Sequence, residues 1–359
     1  MPRDSKDMLY GCLIGGAIGD ALGAPVENWP YQQIRDEFGK VEEFHSYEHP
    51  HADGAPGTIT GDSVMRQYLT LSITEHEGRI TPDELAETLL AHLNPTRVWT
   101  SEEIMIKKLA AGMNPWETGR GTIPAGIATT SIAPIGIINA ANTRQAYQDG
   151  FNIASINQDG INRDAAAVVA AGIAEACSPN ATVNDVLETM LDYAPEVLFR
   201  ALELSLTLAA DSDNIDTFVE RFYDELLDWT WPAVDWDTSK YSDGRVFSAD
   251  SIESLPAAVG ILELCGDDPN TAITEAASFG RDCDTIGSVV GTMVGTLYGA
   301  TAIRDTWITQ CETANVDFFE ELYDDSDSNF ETAAERLRNA LQNEQVRTER
   351  YSQVLNEIL

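Results

Sequence analysis

The stretch FGRDCDTIGSVVGTMVGTLYG, residues 279–299, decides how this chain is read. It sets Asp282, Asp284 and Thr285 within four residues and then runs uncharged through Gly299. Gly287, Gly291, Gly295 and Gly299 recur every four residues. On a helix they form one flat strip against which another backbone packs closely, so this helix belongs in an interior. At its start the first residue is a cap with non-helical angles, and there both carboxylates and the Thr285 hydroxyl can converge on one point. Two acidic groups at the mouth of a buried apolar helix repel each other unless protonated, capped or neutralised by a cation. A hard, oxygen-seeking ion such as Mg²⁺ suits that donor set. The plainer alternative makes Asp282 a helix cap and Asp284 a complement to the helix dipole. The stretch alone leaves both open.

Working outward, residues 8–24 carry Gly11, Gly15, Gly19 and Gly23, the same four-residue strip, so the two helices are expected to pack face to face. The strip ends in GDALGAPVE, which puts Asp20 at the helix's C-terminal end and Glu27 in the loop beyond. ITGDSVM, residues 59–65, leads into a helical apolar pattern at Val64, Tyr68, Leu69, Leu71 and Ile73. Thr60, Asp62 and Ser63 therefore cluster at a second helix start. Thr81 and Glu84 form a capping box with Pro82 in the first turn of a helix over 81–93. Helical periodicity predicts further helices over 101–111, 144–155, 163–176, 183–193, 196–209, 215–227, 251–264 and 270–279. No run of alternating strands is found, so the chain is all-α.

The formal charge of −37, from 59 acidic and 22 basic residues, argues against phosphate-backbone binding and against adhesion to anionic membranes. Only five of the basic residues are lysines, and with the acid excess this resembles cytoplasmic proteins of salt-loving microbes. A hydrophobic content of 43% argues against disorder as the explanation of so much charge. Five scattered cysteines with no CxxC pair suit a reducing compartment. The apolar run over 8–26 is interrupted by Asp20 and is not read as an export signal, nor are residues 9–12 read as a lipoprotein box. The uncharged run over 285–303 carries too much glycine and hydroxyl to be a preferred membrane span. The expected organisation is one domain over 1–323, then an acidic hinge and an amphipathic helix over 324–359. That helix presents Phe330, Ala333, Ala334, Leu337, Ala340 and Leu341 on one face, as a packing element or an oligomer contact. His45, His49 and His51 are read as a solvated loop, since no fourth zinc ligand is spaced nearby. The aromatic, acidic stretch over 229–247 either stacks on a base or anchors a loop to the core.

GDALGAPVE at 19–27, TGDS at 60–63 and GRDCDTIGSVVG at 280–291, in that order and spacing, resemble the ADP-ribosylglycohydrolase family, over roughly residues 8–303. The stretch over 121–140 is similar to that family's substrate loop and following helix. The resemblance implies a compact orthogonal multi-helix bundle. It also implies a Mg²⁺ or Mn²⁺ centre of two ions that grips ribose hydroxyls while the bond at the anomeric carbon is cleaved. Carried over by motif, Thr60, Asp62, Asp282, Asp284 and Thr285 become metal ligands. Asp62, Glu27 and Asp282 become catalytic candidates, and Asp20, Gly121, Thr122 and Asn157 contact substrate.

The chain departs from the family's pattern at three places. Gly61 stands where the family usually has a second aspartate, which implies one weakened ion site. GTIPAGIATTS, residues 121–131, lacks the asparagine of the phosphate-contacting loop, and Asn157 stands where many members carry histidine. The sequence thus points to a metal-dependent hydrolase of an ADP-ribosyl or related ribosyl linkage. A hydrolase of a smaller N-riboside, such as a nucleoside, needs no diphosphate pocket. A non-catalytic metal or ribosyl-ligand binding protein is a third reading.

Overall fold

The decisive stretch forms a central helix, Cys283–Tyr298, and the first helix of the chain, Ser5–Gly23, lies antiparallel against it. A Cβ added at Gly11, Gly15 or Gly19 would stand 2.3, 2.4 or 1.9 Å from the carbonyl oxygen of Gly295, Gly291 or Gly287. As one number rises the other falls, which is the register of two antiparallel strips. Glycine inside a helix costs roughly 0.5–1 kcal/mol relative to alanine. Backbone-to-backbone contact along the strip from Gly11 to Gly23 offsets that cost through dispersion. The functional consequence lies at one end of the pair. The C-terminus of the first helix, with Asp20 and the Glu27 loop, is brought to the N-terminus of the central helix, and a Cβ on Gly23 would meet the Asp284 backbone at 2.5 Å.

The computed structural model describes residues 4–48, 53–230 and 249–359. Among these are nineteen α-helices packed as a multi-helix bundle around the central pair. The predicted helices are found within a few residues of their expected ends, including Val183–Tyr193, Glu196–Ala210 and Ser251–Cys265. Pro82–His92 carries the expected Thr81–Glu84 capping box. The structure adds helices at Tyr31–Phe38, Asp305–Ala314 and Val316–Tyr323 that the periodicity did not show, and it departs from expectation at two further places. Tyr47–Glu48 pairs with Asp53–Gly54 in a two-stranded antiparallel ribbon, tied down where the Tyr47 hydroxyl donates to the Ile59 carbonyl at 3.1 Å. The helix expected over 215–227 is α-helical over Ile215–Arg221 and then widens into a π-turn over Phe222–Leu226. The wider turn seats Phe222 edge-on against Phe279, with centroids 5.0 Å apart, and lets the Tyr223 hydroxyl donate to the Phe279 carbonyl at 3.0 Å. That bond fixes the chain just before the central helix begins.

The C-terminal helix, Phe330–Ile358, buries the face read from its sequence: Phe330, Ala333, Ala334, Leu337 and Ala340 are core residues, and Leu341 packs against them partly buried. It lies on the first helix and on the helix of the TGDS motif, Gly61–Glu75. Burying each of Phe330 and Leu337 contributes about 1.5–3 kcal/mol. In the acidic segment before it, Asp324 adopts a left-handed conformation, and Asp325 accepts from the Ser328 hydroxyl and the Arg336 guanidinium. Ser5–Val26 is long and apolar enough to cross a membrane, yet 89% of its most apolar window is buried inside the bundle. All five cysteines are free.

Candidate metal centre

Two turns meet where the glycine strips end. In one, Gly280 and Arg281 both take left-handed backbone angles, with φ of 83° and 55°. A side chain at Gly280 would strike the Trp29 carbonyl at 2.7 Å and the Tyr31 amide at 2.8 Å, so only glycine fits there. For arginine this conformation costs roughly 1–2 kcal/mol, and the surroundings hold it. The Arg281 amide donates to the Trp29 carbonyl at 2.8 Å, and the Asn28 amide donates to the Arg281 carbonyl at 2.6 Å. The buried Arg281 guanidinium also pairs with buried Glu253, Nη2 to Oε2 at 3.0 Å. The turn after Glu27 is thereby stitched to the turn before Asp282.

This stitching brings Glu27, Asp282 and Asp284 together, with one carboxylate oxygen from each lying within 4.8 Å of the others. Asp282 occupies the N-cap position but makes no side-chain cap hydrogen bond, so capping is not its role. Asp284 lies in the first turn, where the helix dipole favours its charge. Asp282 Oδ2 and Asp284 Oδ1 are buried and have no hydrogen-bond partner. Burial, and after it the neighbouring Glu27 carboxylate, pushes both acids well above the usual carboxylate range. Buried acceptors left without donors are costly in a fold. A divalent cation held by oxygen donors would satisfy them, and Glu27, Asp282 and Asp284 form an acidic cluster able to hold one.

The TGDS helix delivers its start to the same place. Thr60 is the N-cap, its hydroxyl accepting from the Asp62 amide at 3.3 Å. The Thr285 hydroxyl donates to Asp62 Oδ2 at 3.0 Å and so joins the two helix starts directly. Burial, and then the charge of Asp20, pushes the Asp62 carboxyl up to about 7. Asp20 is fully buried and accepts from the amides of Thr60, at 3.2 and 3.3 Å, and Ser63, at 3.1 Å. It thus serves as a second cap of the TGDS helix contributed by another helix. Gly61 has an ordinary φ, and a Cβ there would meet nothing closer than 3.6 Å.

The remaining candidates sit farther out. Gly121 is exposed with φ of 69°, and the Thr122 hydroxyl accepts from Lys108 Nζ at 3.0 Å. It is Gly126 of the same loop that reaches the acids: a Cβ on it would lie 2.7 Å from Thr285 Cγ2 and 3.5 Å from Asp282 Oδ2. Asn157 is buried and donates to Glu102 at 3.0 Å while accepting from Gln158 at 3.0 Å. Gln158 in turn holds the loop through the Ala125 amide and the Ile123 carbonyl. His45 packs its ring on Phe38, with centroids 5.0 Å apart, while His49 and His51 lie outside the described residues. Trp229 is exposed, and the aromatic stretch from Trp231 through Phe247 is likewise outside them.

Sequence reasoning missed Gly126 and Arg66. Gly126 was legible only as a small residue ahead of the short helix Ile127–Ser131, and its closeness to Thr285 is tertiary. Arg66 stands one helical turn after Asp62, the single signal the sequence offers. It is wholly buried, donating from Nε to the Thr130 carbonyl at 2.9 Å and from Nη2 to the Ser288 hydroxyl.

A family model described as ADP-ribosylglycohydrolase matches residues 1–346. The chain belongs to the ADP-ribosylglycohydrolase family. It is 25% identical over 332 residues to the uncharacterized protein YegU of Escherichia coli strain K12, spanning 86% of this chain and 93% of that protein. An uncharacterized protein of Archaeoglobus fulgidus is 26% identical over 320 residues, spanning 88% of this chain and 95% of that one. A solved structure of an ADP-ribosylglycohydrolase-related protein complex shares the fold, with a TM-score of 0.64 and 20% identity over 94% of this chain and 99% of that chain. At the level of the family, ADP-ribosylglycohydrolase membership supports glycohydrolase-like action on a small ribosyl or ADP-ribosyl substrate.

Proposed function

We propose that this member of the family is a metal-dependent hydrolase that cleaves a ribosyl linkage at the anomeric carbon. The observation that carries the reading is the convergence of Glu27, Asp282 and Asp284, with two unpartnered buried oxygens, at the meeting of two helix starts. Mg²⁺ or Mn²⁺ held there would supply a Lewis acid for the ribose hydroxyls and an oriented water. Asp282 and Asp284 are held rigid by the central helix, as a site for charge stabilisation requires. Glu27, partly exposed and carried on a loop, is the member of the cluster that can meet substrate. Asp62, with its carboxyl pushed up to about 7, is poised to give a proton to the leaving group as an oxocarbenium-like state forms and to take one back from water as that state decays. Gly126 lets the backbone of the 121–131 loop pack directly against Thr285 beside Asp282, which sets that loop at the edge of the site.

A smaller N-riboside is favoured as the second reading by one observation. The Lys108 ammonium beneath the 121–131 loop is spent on the Thr118 and Arg120 carbonyls, both at 2.8 Å, and on the Thr122 hydroxyl, so it is not offered to a diphosphate. A thermal-shift and turnover panel in high salt with Mg²⁺, comparing ADP-ribose, ribose and nucleosides, tests the proposal. Stabilisation that needs the diphosphate supports an ADP-ribosyl substrate, and stabilisation by a nucleoside alone supports the smaller one. Binding without turnover of any ribosyl substrate would overturn the hydrolase reading in favour of a binding protein.

A further inference from the structure

The five buried or half-buried acids of the site divide into two groups with different needs. Glu27, Asp282 and Asp284 lie together, and Asp282 Oδ2 and Asp284 Oδ1 are buried without a hydrogen-bond partner. Asp20 and Asp62 are already supplied with donors: the Thr60 and Ser63 amides for one, the Thr285 hydroxyl for the other. The second group also has a cation beneath it. Arg66 follows Asp62 by four residues, and Ser288, which its Nη2 reaches, follows Asp284 by four. Residues four apart on a helix face one another at about 5–6 Å. The guanidinium therefore lies one turn below both helix starts, spanning from one to the other.

The core is shaped to admit it. A Cβ on Gly16 would stand 2.3 Å from Arg66 Nη1, and that nitrogen has no hydrogen-bond partner although it is buried. A guanidinium at this depth requires negative charge nearby, and Asp20 and Asp62 are the carboxylates that interact with it. At position 61, where a carboxylate would add an oxygen ligand and a negative charge, the chain has glycine. The absence of a carboxylate at 61 and the presence of the Arg66 charge act in the same direction on the same half of the site.

We propose that this chain binds one divalent ion, at Glu27, Asp282 and Asp284, and that Arg66 supplies to Asp20 and Asp62 the positive charge that a second ion would otherwise supply. The proposal rests on the metal-dependent reading above and fixes its stoichiometry. It leaves Asp62 unencumbered by a metal, free to handle a proton.

The test is Mn²⁺ uptake by the apo full chain, measured by equilibrium dialysis with metal analysis and by electron paramagnetic resonance. The parent is expected to take up one Mn²⁺ per chain into the millimolar range, with the spectrum of an isolated ion. Gly61→Asp alone, and Arg66→Lys, are expected to stay at one. Gly61→Asp combined with Arg66→Thr, checked for folding by circular dichroism, is expected to take up two ions with a spin-coupled spectrum. Two ions in the parent, a second ion gained by Gly61→Asp with Arg66 intact, or a single ion in the folded double variant would each overturn the proposal. If the double variant does not fold, the parent and Gly61→Asp stoichiometries still decide it. No uptake by the parent would overturn the metal-dependent reading itself.

Discussion

A Cβ placed on Gly19 would lie 1.9 Å from the Gly287 carbonyl oxygen, and one placed on Gly287 would lie 2.4 Å from the Gly19 carbonyl oxygen. Neither neighbour is a side chain that could rotate away, so alanine at either position must push two helices apart. That displacement would be felt one turn further on, where Gly23 meets the Asp284 backbone. Gly19→Ala is expected to destabilise the fold by about 1–3 kcal/mol or more, as overpacking of a tight core does. Gly61→Ala, which meets only ordinary contacts, should change stability little. Urea denaturation of both variants checks this, and equal midpoints would show that the strip is not a close contact.

The glycine strips and the two helix starts were legible in the sequence because each depends on local spacing, whereas the meeting of Asp62 with Thr285, far apart in the chain, was implied only by the family resemblance. What was not legible depends on tertiary placement. The hydrogen bonds that Asp20 accepts from the amides of Thr60 and Ser63, forty or more residues away, could not be read from the sequence. Asn157, expected at the substrate, is joined to Glu102 and Gln158 and acts on the loop through them. Arg66 lies in an otherwise regular helical pattern, and nothing in the pattern shows that Gly16, on another helix, makes room for its head group.

Replacing Asp284 separates a metal role from a structural one. Its carboxylate is crowded by Glu27 and Asp282, and Oδ1 receives no hydrogen bond. Asp284→Ala removes like-charge repulsion in the metal-free chain, so its melting temperature without metal should equal or exceed the parent's. The increase that Mg²⁺ gives the parent should disappear, together with turnover. A variant that unfolds, beside a parent indifferent to Mg²⁺, would make Asp284 structural.

The surface charge makes a prediction of its own. With 59 acidic against 22 basic residues, self-repulsion works against the compact state at low ionic strength. Screening shortens its range from about 10 Å at 0.1 M salt to about 3 Å at 1 M. The melting temperature should therefore climb steeply between low and molar KCl. Differential scanning fluorimetry across that range checks it, and a flat profile would remove the case for adaptation to high salt.

In the absence of divalent ions, Asp62 makes the stability of the fold depend on pH. Burial first, and the Asp20 charge second, raise the Asp62 carboxyl in the folded chain from the ordinary 3.8 to about 7. Between these two values the folded chain holds a proton that the unfolded chain has released. The contribution of the protonated carboxyl is thus fully present below about pH 4 and is lost as the pH rises through about 7. A shift of this size corresponds to a few kcal/mol. Asp62→Asn keeps a neutral oxygen for the Thr285 hydroxyl at every pH. It should match the parent's stability near pH 4 and exceed it by a growing margin up to pH 8. Denaturation midpoints of the two proteins at matched salt check this, and a margin that shrinks as pH rises would place the Asp62 proton equilibrium elsewhere.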